Sequence, residues 1–238
     1  MRDILEIMRD RHSSRVPYDP KRRVPDKDLQ RILEAARWAP TAHNMQNFQV
    51  IIVDDEATLT TISAIRSRTT KTFLEENYQQ LSFSEGELLR KRTGLLATMF
   101  PASWQRPDAE PQDVIDAQHA LLGSSMQNCP LLLLVISDTR KRAPASEEDV
   151  LGIMSLGCVM QNMWLMAEAA GIGMQILSAL SAEGVEDDLR RILQLPSHMK
   201  IAFACRLGYP AAPSGRYLRV RREIQDFAHQ NRYRKREF

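Results

Sequence analysis

A chain of 238 residues with 43% apolar and 26% charged side chains can bury a sizeable core and has the composition of an ordinary globular protein. Its formal net charge of +2 excludes a global electrostatic pull toward nucleic acid or membrane. Cys129, Cys158 and Cys205 lie far apart among apolar neighbours, which excludes a disulfide scaffold and suits thiols in a reducing compartment. The opening MRDILEIMRD has charges where a signal peptide needs an apolar run. The longest apolar run, residues 131–136, is far too short to span a bilayer. The expectation is a cytoplasmic protein with neither a membrane nor a nucleic-acid partner.

Residues 2–10 read as a short helix with Ile4, Leu5 and Met8 on one face. Leu29, Ile32, Leu33 and Ala36 recur at the spacing of an amphipathic helix, with Asp26 and Asp28 in its first turn, where the helix dipole favours acids, and Pro40 at its end. A polar connection without glycine follows, Thr-Ala-His-Asn-Met-Gln-Asn over residues 41–47, and then a strand over Phe48–Val53. Residues 56–99 are helical in tendency but polar and broken, and residues 100–118 are interrupted by Pro101, Pro107 and Pro111. Residues 131–137 form a buried strand and residues 148–170 a long helix rich in Leu, Met and Ala. Residues 174–178 are a short strand, 185–195 a helix and 201–207 a strand. Met154, Met160, Met163 and Met166 are expected mostly in the core. From residue 216 onward seven Arg and one Lys face three acids. Strands alternating with helices, without repeats or linkers, predict one α+β or α/β domain with a helix-flanked sheet.

Several chemistries are excluded. There is no phosphate-binding P-loop and no nucleophile elbow, and Gly171-Ile-Gly173 ends a helix and does not follow a strand, which rules out a Rossmann turn. The histidines and cysteines lack metal-ligand spacing, so no metal site is expected. Three polar clusters remain. In Arg11-His12-Ser13-Ser14-Arg15 an extended backbone puts residues 11, 13 and 15 on one face, where planar guanidinium forks can grip an anion; the alternative is a solvated basic turn. Arg216, Arg219, Arg221 and Arg222 could close on a phosphate, or form a solvated tail or a nucleic-acid footprint. The connection 41–47 could line a pocket, or only satisfy a turn.

Taken together and in this order, RHSSR, VPDKDLQRILEAARWAPTAHNMQNFQVIIV, DVLGIMSLGCVMQNMWLMAEAAGIGMQIL, LRRILQLPSHMKIAFACRLGYP and RREIQDFAH resemble the nitroreductase family of FMN-dependent NAD(P)H oxidoreductases. The resemblance spans nearly the whole chain except about residues 54–125. It implies an α+β, α/β-like fold with a helix-flanked central sheet. A single domain over residues 1–238 would carry a variable lid at about 70–118 and a C-terminal arm at 211–238, in an intertwined homodimer with two interface sites. FMN would be tightly bound. Arg11, His12, Ser13 and Arg15 match the N-terminal FMN motif, with Arg11 and Ser13 at the phosphate end and Arg15 at the N1/O2 edge of the ring, where a cation stabilises negative charge. Pro40, Thr41, Ala42, Asn44 and Gln46 match the run that reaches the partner subunit's flavin, although Asn47 stands where the family usually has proline. Leu177, Ser178 and Ala179 match the segment along the flavin, a backbone N–H of which meets N5. Arg219 and Arg221 match the pair that completes the phosphate site.

The implied activity is ping-pong hydride transfer through flavin N5, from NADH or NADPH to a small oxidised acceptor such as a nitroaromatic, a quinone or an activated alkene. No catalytic acid or base is named. Alternatives on the same scaffold are reductive dehalogenation, for which Glu75, Tyr78 and Lys91 are available at an unconvincing spacing, dehydrogenation, flavin fragmentation, or FMN binding without turnover.

Overall fold

The computed structural model describes residues 2–65, 80–99, 126, 128–144, 147–177, 180, 184–212 and 218–234. Its helices are α1 (Ile4–Asp10), α2 (Asp26–Arg37), α3 (Glu56–Ser63), α4 (Glu85–Lys91), α5 (Val150–Ala169) and α6 (Val185–Ile192). Its strands are β1 (Phe48–Val53), β2 (Ser82–Phe83), β3 (Leu95–Leu96), β4 (Leu131–Asp138), β5 (Gly173–Ile176) and β6 (Met199–Gly208). The chain divides into two compact units, residues 1–68 with 119–214, and residues 69–118 with 215–238.

The first unit is built around β4. Its residues Leu131 to Ile136 are all buried, because an unbroken apolar run suits a strand covered on both faces. β4 pairs with β1 on one side and β6 on the other, and β5 pairs with the far edge of β6, giving the order β1-β4-β6-β5. Every neighbouring pair is antiparallel. Alternate β4 side chains enter different cores. Leu131, Leu133 and Val135 pack with Ile32 and Ala36 of α2 and Val159, Met163 and Ala167 of α5. Leu132, Leu134 and Ile136 pack with Ile62 of α3 and Val185 and Leu189 of α6. The sheet therefore lies between two helical layers, the α+β arrangement that the pattern predicts.

Strand and helix centres fall where periodicity puts them, and the ends differ. α2 stops at Arg37 and not at Pro40, as expected where the residue before a proline is pushed out of the helical region. β5 ends at Ile176 and α6 at Ile192. α5 is long and apolar enough, by length and composition, to cross a membrane, a feature that a search for uninterrupted apolar runs misses. In this fold its Val159, Met163, Trp164 and Ala167 are buried and it packs against α2, while Val150, Ile153 and Met154 of its first turns are exposed. Met163 is fully buried, Met160 and Met166 pack on the core, and Met154 is exposed.

In the second unit the section read as helical also contains the short parallel pair β2 and β3. Ser84 and Glu87 form a capping box at the start of α4, and Arg92, at the other end of that helix, forms an ion pair of 2.8 Å with Glu223 of the C-terminal segment. Lys91 lies over the Phe83 ring at 3.7 Å.

Candidate functional site

Residues 11–18 run from the edge of β5 to the end of β6. Ser13 bridges Met174 in parallel and Tyr18 bridges Pro210, with hydrogen bonds from Ser14 N to Met174 O at 3.0 Å and from Asp19 N to Tyr209 O at 2.8 Å. Along this backbone Arg11, His12 and Ser13 are half-buried, Ser14 is buried and Arg15 is exposed. Room for this segment comes from two paired glycines. Gly173 and Gly208 are cross-strand partners; a Cβ on Gly173 would lie 2.7 Å from Ser14 Oγ, and one on Gly208 2.6 Å from the Tyr18 ring. The fully buried Tyr18 fills the space that two side chains would take.

Side chains of this segment also contact α5. The Arg11 guanidinium lies 4.6 Å from the centre of the Trp164 ring, a cation–π distance. Trp164 Nε1 donates to the main-chain oxygen of His12 at 3.2 Å. His12 Nδ1 is 3.0 Å from Asp10 O and 4.0 Å from Glu168 Oε2.

The connection 41–47 is held at the other end of α5. The Ala42 amide donates to Ser155 Oγ at 2.9 Å, and that hydroxyl donates to Leu151 O at 2.7 Å. His43, Asn44 and Gln46 all have positive φ, 51°, 52° and 45°, a region costing roughly 1–2 kcal/mol per residue for side chains other than glycine. Thr41 Oγ1 accepts from the Gln46 amide at 3.2 Å, and Gln46 Nε2 donates to Asn44 Oδ1 at 3.1 Å. Pro40, Asn44 and Gln46 are exposed and Thr41 and Ala42 half-buried. Asn47 is buried, and its Oδ1 has no hydrogen-bond partner among the described residues. Strain of this density concentrates where function over-determines the backbone. Trp164 follows Ser155 by nine positions on α5, which puts the two anchor points about 14 Å apart along the helix.

The remaining predicted residues are distributed as follows. Leu177 is buried in the core beside α6, and its amide donates to Ala204 O at 2.9 Å, which leaves that N–H committed to the sheet. Ser178 and Ala179 lie outside the described residues, as do Glu75 and Tyr78. Arg219 and Arg221 belong to the second unit, where Arg221 donates to Val220 O at 2.7 Å. A cavity of about 410 Å³ in the first unit, lined by Arg23, Asp54, Glu56 and Asn128 among others, includes none of the predicted residues. No cluster of possible metal ligands occurs among the described residues.

Sequence reasoning missed Arg206. It is 1% exposed on β6, opposite Gln175 of β5. Its Nε donates to Gln175 Oε1 at 2.8 Å, and its Nη2 to Ser14 O at 3.2 Å and Val16 O at 2.9 Å. Its guanidinium lies 4.4 Å from the centre of the Tyr18 ring. The available signal was a lone arginine in the apolar strand Ile-Ala-Phe-Ala-Cys-Arg-Leu. Burial pushes the Tyr18 phenol well above its usual range, with Arg206 opposing the shift. Burial likewise pushes the Cys129 thiol up to about 11 and raises Cys205.

The model of the nitroreductase family matches residues 8–209. The structure is similar to an FMN-dependent nitroreductase of Clostridium difficile, at 17% identity and a TM-score of 0.61 over 96% of this chain and 99% of that one. It is also similar to a nitroreductase with bound FMN from Bacteroides fragilis, at 20% identity and a TM-score of 0.58 over 93% and 96%. A provisionally assigned NADH dehydrogenase/NAD(P)H nitroreductase of Parabacteroides distasonis has 18% identity and a TM-score of 0.60 over 97% and 99%. No curated protein matches the chain.

Proposed function

This chain belongs to the nitroreductase family, and from that premise we propose that it is an FMN-dependent oxidoreductase. It would take electrons from NADH or NADPH and pass them to small oxidised acceptors such as nitroaromatics, quinones or activated alkenes. The carrying observation is the clustering of Arg11, Ser13 and Arg15 about the buried Ser14, on a segment that Ser13 joins to the edge of β5. The donor set fits the group: guanidiniums and hydroxyls suit a phosphate monoester of about two negative charges. Bound there, FMN would supply two-electron transfer between the two small molecules.

Arg11 and Ser13 would bind the phosphate, and Arg15 would hold positive charge at the N1/O2 edge of the ring. The Leu177 amide is committed to Ala204, so it is not the N–H that would meet the flavin. Thr41, Ala42, Asn44 and Gln46 would serve the partner's site in a homodimer. Two features support that reading: the roughly 14 Å between the anchor points on α5, and the exposed Val150, Ile153 and Met154 on its first turns with Ile4, Leu5 and Met8 on α1. Sedimentation of the purified protein as a monomer at micromolar concentration would overturn the two-chain site. Residues 70–118, where the resemblance to the family fails, would set acceptor choice.

The test of the whole reading is the absorbance spectrum. Flavin bands at about one FMN per chain, bleached anaerobically by NADH or NADPH, are the expected result. A protein that stays colourless and takes up no added FMN sinks the proposal. Bound flavin that neither nucleotide bleaches points to FMN binding without this turnover.

A further inference from the structure

Ser13 of the donor-bearing segment bridges Met174 of β5, and the next bridge along the segment, Tyr18 to Pro210, comes only after Val16. Between them the carbonyls of Ser14 and Val16, two residues apart in an extended chain, face the same way. Arg206 Nη2 donates to both, at 3.2 and 2.9 Å, while its Nε is fixed by Gln175 Oε1 at 2.8 Å. The guanidinium thus takes the place of the next rungs of the ladder. It starts from β6, reaches past β5, and holds the main chain on either side of Arg15. Burying an arginine is costly, and one acceptor would not suffice; here two carbonyls, one amide oxygen and an aromatic face surround it. Lysine offers no rigid fork that could meet three separated acceptors at once.

We propose that Arg206 is a positioning residue of the candidate flavin site: by clamping the carbonyls of Ser14 and Val16 it fixes the outward aim of Ser13 and Arg15. It touches no reacting group. Its effect on flavin binding passes entirely through the segment it holds, and in that sense the inference rests on the proposed function.

The experiment is a double-mutant cycle on the full chain, titrated with FMN and followed by quenching of flavin fluorescence, with the thermal midpoint measured alongside. Wild-type protein binds FMN; Arg206→Lys binds it on the order of tenfold more weakly, as expected for a group that orients direct ligands. In the Ser13→Ala/Arg15→Ala background the same change has an effect of less than about twofold, because coupled residues do not act additively. Gln175→Ala keeps the arginine but frees its Nε, and reproduces a smaller loss with the same dependence on background, which covers the case in which Arg206→Lys does not fold. If wild type binds and both variants bind equally well, or if their losses persist undiminished in the Ser13/Arg15 background, the positioning role is wrong while the flavin reading stands. Failure of the wild type itself to bind FMN overturns both.

Discussion

The segment 11–15 and the connection 40–46 are both rich in donors, free of glycine and packed on α5, yet they are held in different ways. The first is tied to the sheet by backbone hydrogen bonds, by a buried arginine and by an aromatic ring seated on two paired glycines. The second is tied through one serine hydroxyl and carries its shape as positive φ at three residues. A segment anchored in a core inherits the rigidity of that core. A loop that stores local strain is set by few contacts and is correspondingly easy to release.

Substituting Gly173 by Val strikes only the first device. With its Cβ forced to 2.7 Å from Ser14 Oγ and 3.0 Å from Tyr18, the change should cost about 3 kcal/mol and abolish FMN retention. A urea denaturation curve and the flavin absorbance after dialysis measure both. Retained flavin at reduced stability would break the link between attachment and binding.

Alkali should act on the same region. The folded Cys129 thiol keeps its proton until about pH 11, whereas in the unfolded chain it titrates near its ordinary 9.0. In that window the unfolded state binds fewer protons, so stability present below pH 9 is lost as pH rises through 11. Tyr18 and Cys205, raised in the same direction by burial, deepen the fall. Denaturation midpoints at pH 8, 9.5 and 10.5 should decrease in that order, and a flat profile would contradict the burial of these groups.

Ser155→Ala tests the second device. Loss of the acceptor for the Ala42 amide should cost about 1 kcal/mol. It should also speed hydrogen exchange at Ala42 while the Ser14 amide, bonded to Met174, stays protected. Equal acceleration at both amides would mean that the two segments are not independent. The smallest effect is expected from His43→Gly, which relieves a φ of 51° but frees the unfolded chain. The balance should be within about 0.5 kcal/mol in favour of stability, read from the thermal midpoint.

Much of this was legible because periodicity reports burial directly. The run 131–136 declared a strand covered on both faces, and the spacing of Leu29, Ile32, Leu33 and Ala36 declared α2. Arg206 was illegible as a structural clamp because its acceptors are main-chain carbonyls 190 and 192 residues away, and a carbonyl carries no side-chain signature. The same holds for Ser155, whose partner is an amide 113 residues distant. The commitment of the Leu177 amide to β6 also depends on where β5 stops, and strand ends are the part of a pattern that periodicity defines least.

By itself, the sequence determined the two-layered burial of the central strand, the membership of the family and the identity of the polar clusters. These follow from side-chain chemistry and spacing along one chain. Only the tertiary structure decided that the two donor segments lie about 14 Å apart on one helix, that paired glycines seat Tyr18, and that a buried arginine from the far strand secures the first segment. Each of those depends on which backbone groups meet across the fold, and the backbone is the same at every residue until the fold brings particular groups together.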